Sequence, residues 1–309
     1  MNKFQSQSKE FYNKPLIILL GVFVALALFY STIIPLFEGP DEDDHFRYAK
    51  FIADQRALPV QLFEPGGGVA GHQGWQPPLY YSLAALVIAP IDRSDYEQHL
   101  WRNYAATFVG DPACCGRNIY YHTDSENFPY TRTTLAVHLA RLLSIFFGAI
   151  TVTATFGIAR QLSIVNYQLS IAVAALVAFN PSFLFASALV SNDAMLTAFS
   201  SLVVLMWVKL LTSRTASGGV IASEAKQSPN RTLEIALSAS FDSISASLRF
   251  RSGRLLAMTR SAVLLGALIG LGILTKPTAL GLIPFSILVL SIVAWRKRDA
   301  RFAIVGNAA

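Results

Sequence analysis

The sequence predicts an all-α polytopic membrane protein, and three observations carry that prediction. Charged residues make up 14% of the 309 positions, against about 25% in a soluble domain. Hydrophobic residues make up 53%. Six apolar stretches approach or exceed the roughly 20 residues a helix needs to cross about 30 Å of hydrocarbon.

The first stretch, "PLIILLGVFVALALFYSTIIPLF", occupies 15–37. It is too long for a signal-peptide core, and no small-residue cleavage site follows it before the next acids, so it reads as a retained span. The others are 135–159, 168–190, 194–212, 261–275 and 278–295, the last two short and parted only by "KP". Segment 77–90, "PPLYYSLAALVIAP", is apolar but too short to cross, and suits an interfacial or re-entrant helix.

Basic residues set the expected orientation. Lys3, Lys9 and Lys14 precede the first span, a run from Lys209 to Arg260 follows the fourth, and "WRKRDAR" follows the sixth. With six spans these clusters share one side, which positive-inside bias makes cytoplasmic. Loop 38–134 holds 13 of the 19 acids against seven Lys or Arg, and is expected to face outward. The expected setting is a bacterial plasma membrane, with a cytoplasmic amino terminus and loop 38–134 extracytoplasmic. The net charge of +6 follows from these flanks. Its residues are not interleaved with aromatics on one surface, which argues against nucleic acid as a partner and leaves membrane lipids as one.

Segment 213–260 is rich in Ser, Ala and Arg and lacks a sustained apolar face. Its "GGVIASEAKQSP" and "RLLAMTR" resemble the translated product of an interspersed bacterial repeat element. An insertion is favoured over an ordinary basic cytoplasmic loop. The chain therefore divides into a transmembrane region with its outer loop (1–212), a basic insertion (213–260), and two further spans with a short tail (261–309). The end at "RFAIVGNAA" leaves truncation open. Cys114 and Cys115 are adjacent, without metal or redox spacing, and read as ordinary thiols. His72, His99, His122 and His138 also lack ligand spacing and read as loop or interfacial residues.

The chemistry concentrates in "EGPDEDDHFRYAKF", 38–51. Pro at a first helical position and acids in the first turn favour a helix from Pro40 to about Ala57. On it Asp41, His45, Tyr48 and Ile52 share one face, and Glu42, Phe46, Ala49 and Ala53 the next. Helix amino termini favour ionised carboxylates. At a bilayer boundary such a group suits acceptance of a proton from a hydroxyl while a lipid-borne group leaves. Read from composition alone, the acids serve equally well to keep the loop solvated. Hard oxygens from Asp41, Glu42 and Asp44, with His45, suit a divalent ion. No spacing demands one, and the reading without a metal is favoured.

Four further features bear on the balance. Segment 72–86, "HQGWQPPLYYSLAAL", joins Gln76 and Tyr80 to a rigid Pro-Pro. Asn192-Asp193 sits in a turn between two spans, Lys276 in an apolar outer turn, and Arg141 near the outer end of the second span. Ionisable residues in membrane segments mark function by default. Lys276 and Arg141 are expected to face the same leaflet as the acids, where they are candidates for holding an anionic lipid phosphate. His45, Arg47, Gln76, Tyr80, Asn192 and Asp193 complete the candidate binding set.

In order, "EGPDEDDHFRYAKFIADQRALPV", "QPPLYYSLAAL", "NPSFLFASALVSNDAML" and "GLGILTKPTAL" resemble the landmarks of polytopic GT-C glycosyltransferases. The nearest branch is that of the protein O-mannosyltransferases and the aminoarabinose transferases of lipid A. The resemblance covers about 35–212 and 261–295. It implies a GT-C-like fold and a polyprenyl-phosphate-linked sugar as donor. Transfer would occur with inversion on the outer face, to a glycan, lipid or protein acceptor. The family's first-loop acid, its catalytic base, falls on Asp41, with Glu42 adjacent. Asp193 matches the acid of the turn between spans three and four. Gln76 stands where the aminoarabinose branch often carries a cation, which shifts phosphate binding to Lys276 and Arg141. A transporter and an inactive fragment of a glycosyltransferase remain as alternatives.

Overall fold

The computed structural model describes residues 3–60, 68–103, 106, 118–162, 165–213 and 260–306. Nine α-helices are described, and they account for every apolar stretch named above. α1 spans Lys3–Ile33, α2 Glu42–Gln55, α3 Leu79–Ile88, α4 Arg132–Gln161 and α5 Tyr167–Ala178. α6 spans Pro181–Ser187, α7 Asn192–Thr212, α8 Arg260–Thr275 and α9 Leu282–Gly306. Four segments are long and apolar enough to cross a membrane: Lys14–Ile33, Arg132–Gln161, Asn192–Thr212 and Pro277–Arg296. Their exposed faces carry Ile17, Ile18, Phe29, Phe146, Ile287 and Leu288, as lipid contact requires.

Two expected spans differ in form. Segment 168–190 is not one straight helix: α5 and α6 bend by 64°. Pro181 cannot donate to the preceding turn and occupies the first turn of α6, while the Asn180 side chain accepts from the amides of Ser182 and Phe183, a helix stop and a helix start in adjacent residues. Counted as one span, the bent pair makes five candidate crossings. The fifth stretch, Arg260–Thr275, is a helix of sub-spanning length. α1 also ends earlier than its apolar run, at Ile33. Pro35 disfavours helix at the residue before it, and Phe37 turns into the left-handed region at φ 63°.

α4 is the central helix, touching α1, α3, α5, α6 and α7. A Cβ on its Gly148 would lie 2.8 Å from both Phe23 Cζ and Ser187 Oγ, so glycine is what lets α1 and α6 close on α4. Three packed regions follow from this frame. One joins α1, α4, α5 and α6 around Phe23, Ile145, Val152 and Leu184. A second joins α7, α8 and α9 around Val203, Leu265 and Ile269. The third lies at the end of the bundle that carries α2 and α3, and buries Phe37, Phe46, Tyr48, Tyr80, Tyr81, Tyr96, Val137 and Met195.

α2 starts at Glu42 rather than Pro40, with Asp41 as the left-handed residue (φ 54°, ψ 16°) before it. Both of its expected faces turn inward, since Glu42, His45, Phe46, Tyr48 and Ala49 are all buried. α3 is the short element expected at 77–90, and its Tyr80, Tyr81, Ala84, Ala85 and Ile88 are buried against the bundle. The expected insertion at 213–260 and the cysteine pair fall, but for its two end residues, outside the described residues.

Candidate active site

Three chain breaks meet at the α2–α3 end: the turn 34–41 after α1, the turn 188–191 between α6 and α7, and Lys276 after α8. Their convergence follows from contacts made by side chains of these segments. Arg141 Nη1 donates to the carbonyls of Ser31 and Ile34 at 2.7 and 2.9 Å, and Nη2 to that of Pro35 at 3.0 Å. Glu42 Oε1 accepts from the Val190 amide at 2.9 Å. Asn192 Nδ2 donates to the Thr275 carbonyl at 3.0 Å.

Glu42 and Arg141 form the innermost layer. Both side chains are fully buried. Arg141 Nε donates to Glu42 Oε1 at 2.8 Å and Nη2 to Oε2 at 2.7 Å. A guanidinium has five N–H groups, and these two bonds with the three carbonyls above engage them all. The expectation that Arg141 faces a lipid phosphate is therefore corrected: no donor is left for one. Glu42 is likewise sealed from any incoming hydroxyl, and the pair acts as a clamp that fixes the turn bearing Asp41.

Asp41 lies above that clamp and is exposed. Its side chain makes no capping bond, and Gln73 Nε2 donates to its Oδ2 at 3.4 Å. Asp tolerates the left-handed conformation better than most residues, so the turn presents this carboxylate outward without glycine. Beside it, His45 Nδ1 and the Tyr81 hydroxyl share a hydrogen bond of 2.8 Å. Burial pushes the His45 imidazole down to about 4; Lys276 pushes it further down, while Asp193 and Asp43 oppose. Burial also raises Tyr81, and Tyr80, Tyr48, Asp193 and Asp41 add to that rise. At neutral pH the pair is an uncharged imidazole and an intact phenol, within electrostatic reach of Asp41, Asp193 and Lys276.

Asp193 and Lys276 form the outer layer. Lys276 Nζ donates to Asp193 Oδ1 at 2.5 Å, with Asp193 53% and Lys276 25% exposed. Asp193 is held at the start of α7 by its own amide, which donates to Ser191 Oγ at 3.2 Å. Asn192 is fully buried, and its Oδ1 has no partner. One turn below this pair a groove of about 380 Å³ opens between α7 and the start of α9, lined by Leu196, Trp207, Thr278, Leu282 and Phe285 among others.

The remaining expected residues have other partners. Tyr80 is fully buried, its hydroxyl bonded to Ser144 Oγ at 2.8 Å and accepting from the Ser191 amide at 3.1 Å; it supports the 188–191 turn. Arg47 is partly buried, donating to the Tyr96 hydroxyl at 3.3 Å and pairing with Asp44. The Gln76 carbonyl accepts from the Tyr48 hydroxyl at 3.4 Å, and its Oε1 is unpartnered. The oxygen set named for a divalent ion does not converge. Glu42 is given to Arg141, Asp44 to the His72 amide and Arg47, and His45 to Tyr81.

Three contributors were missed in the sequence. Tyr81 rather than Tyr80 touches His45, and Gln73 rather than Gln76 touches Asp41; in each case residue type alone did not separate neighbours. Glu38 is the third. It accepts from the amides of Ile119 and Tyr120 at 2.9 and 3.0 Å and binds His122 Nε2 at 2.9 Å. His122 Nδ1 binds Glu126 at 2.8 Å, and Asp43 accepts from the Tyr120 hydroxyl at 2.7 Å. These contacts strap the distal half of the loop onto the turn that carries Asp41.

Residues 111–223 match the family model described as dolichyl-phosphate-mannose-protein mannosyltransferase. The matched segment contains Arg141, Asn192 and Asp193, and runs from the strap through α7. No curated protein and no solved structure matches the chain. The match supports an integral membrane glycosyltransferase of the GT-C type.

Proposed function

With residues 111–223 carrying a domain of the dolichyl-phosphate-mannose-protein mannosyltransferase family, we propose that this chain transfers a sugar from a polyprenyl-phosphate donor to an acceptor hydroxyl. The reaction takes place on the outer face of a bacterial plasma membrane, the amino terminus being cytoplasmic; Lys3, Lys9 and Lys14 before the first span and the acid-rich loop 38–134 after it support that orientation. The observation that carries the reading is an exposed carboxylate, Asp41, and a partly exposed cation, Lys276, acting on the two partners of one hydrogen bond, Tyr81 and His45, with an apolar groove two residues beyond Lys276.

The division of labour follows from charge. The acceptor oxygen attacks the anomeric carbon as the carbon–oxygen bond to phosphate breaks. Asp41 takes the proton that the hydroxyl loses, and Lys276 balances the charge left on the phosphate. A single in-line displacement inverts the anomeric carbon. The neutral His45–Tyr81 pair, within electrostatic reach of both charged groups, offers hydrogen bonds to the sugar. The groove between α7 and α9 suits the isoprenoid tail, because its lining is mostly apolar. Arg141 and Glu42 act only through the backbone they hold.

The test is release of polyprenyl phosphate from polyprenyl-phosphate mannose, and from other polyprenyl-phosphate sugars, by the full chain in lipid nanodiscs. Turnover that Asp41→Asn removes supports the reading. Full turnover by that variant, or none by the wild type with any donor, overturns it.

A further inference from the structure

The two ion pairs at this end of the bundle differ in what they can do. Glu42–Arg141 is sealed, with every guanidinium N–H engaged. Lys276–Asp193 is partly open to solvent, Asp193 more than Lys276. An exposed pair of this kind contributes about 0–1 kcal/mol, so exchanging one partner for another anion costs little. Nor does exchange require the helices to part. The Asn192 side chain bonds the Thr275 carbonyl at 3.0 Å, so the start of α7 and the end of α8 stay joined when Lys276 leaves Asp193. Rotation of two side chains is enough.

Position makes the exchange specific. Leu196 is one turn along α7 from Asp193, and Thr278 is two residues beyond Lys276; both line the apolar groove. An amphiphile with its tail in that groove brings its anionic head to Lys276, where Asp193 already sits. We propose that Asp193 is the resident counterion of Lys276 and competes with the phosphate of an amphiphilic ligand. It thereby sets head-group affinity, and it lets go of Lys276 only when phosphate arrives. The inference rests on the reading of this site as one for a polyprenyl-phosphate donor, and it gives Asp193 a positioning role.

The competition predicts a sign that a structural pair does not. Removing the charge of Asp193 frees Lys276 and removes a like charge from the phosphate's neighbourhood, so affinity rises. The experiment is equilibrium binding of polyprenyl phosphate to the full chain in nanodiscs, with inorganic phosphate and uncharged polyprenol as separate probes. For Asp193→Asn we expect polyprenyl phosphate to bind about fivefold to tenfold more tightly, about 1–1.4 kcal/mol. Lys276→Ala should bind at least tenfold more weakly, and adding Asp193→Asn to it should change nothing further. Polyprenol should be insensitive to all three changes. Inorganic phosphate should follow the same order at weaker affinity if the head alone is recognised, and should not bind if the tail is required. Unchanged or weaker binding by Asp193→Asn, in a protein whose wild type binds polyprenyl phosphate, overturns the competition and leaves the donor reading standing. A wild type that binds no polyprenyl phosphate overturns both.

Discussion

Glu42 and Arg141, 99 residues apart, meet in a fully buried bidentate pair at 2.7 and 2.8 Å. The arginine also closes the end of α1 by taking the carbonyl of Ser31 in its last turn and those of Ile34 and Pro35 just beyond it. Removing one partner from a buried pair leaves the other charge uncompensated and costs about 3–5 kcal/mol. Arg141→Leu and Glu42→Leu are therefore each expected to lower the melting temperature of the detergent-solubilised protein strongly. The double variant should lose less than the sum of the two. Additive losses would mean that the two side chains do not act as a unit.

Asp41 predicts the opposite split between stability and turnover. It is exposed and makes no capping bond, and surface changes away from special features alter stability by about 0.5 kcal/mol or less. Loss of a general base costs about 10²- to 10⁴-fold in rate. Asp41→Asn should melt with the wild type and release polyprenyl phosphate at least a hundredfold more slowly. A variant that melts like Arg141→Leu would assign Asp41 a structural role instead.

What could be read in advance depended on whether a signal was local. The apolar runs announced α1, α4, α7 and α9 because burial in lipid demands length and composition that no other element needs. The break at Asn180–Pro181 was written in the sequence as a proline after a capping residue, but a continuous apolar run masked it. Asp41 was singled out from its place beside a span and from the family pattern. Glu42 was grouped with it because adjacent acids look alike in one dimension. Only the fold reveals that one points outward and the other meets Arg141. The strap by Glu38 and His122 was illegible for the same reason, since its partners lie 84 residues apart.

That strap is expected to weaken in alkali. Burial alone would push the His122 imidazole down, but hydrogen bonds with Glu126 and Glu38 outweigh it and raise it to about 9. A group raised above its ordinary value of 6.5 contributes stability fully below that value and loses it as pH rises toward 9. Glu126 sets the acid limit. Burial raises it, but His122 and His99 bring it down to about 2, so its share is present above 4.5 and is lost as pH falls toward 2. The difference in melting temperature between wild type and His122→Asn should be largest between about pH 4.5 and 6.5 and shrink toward pH 9. A constant difference across that range would deny the histidine its charged role.

His45 responds in the opposite direction. Burial holds it at about 4, below its ordinary 6.5, so the unfolded chain binds the extra proton first. Stability from its neutral burial against Tyr81 is complete above 6.5 and declines as pH falls toward 4. Between pH 6.5 and 4.5 the wild type should lose melting temperature that a His45→Gln variant retains. Equal acid sensitivity of the two proteins would place the lability elsewhere.

Two glycines in the loop separate backbone strain from crowding. Gly68 has φ +71° with open space around its missing side chain, whereas Gly71 has φ +65° and ψ −171°, a region nearly restricted to glycine. A Cβ on Gly71 would lie 2.1 Å from Asp44 Oδ1 and 2.5 Å from its Cγ. Asp44 stands in the first turn of α2 and accepts from the His72 amide at 3.2 Å, so displacing it loosens the contact between α2 and the segment carrying Gln73. Gly68→Ala should cost about 1–2 kcal/mol, the penalty of left-handed backbone alone. Gly71→Ala should cost more, and should also slow turnover, because Gln73 then no longer holds Asp41. If both variants melt alike and turn over alike, the packing of Gly71 against Asp44 has no part in setting the position of Asp41.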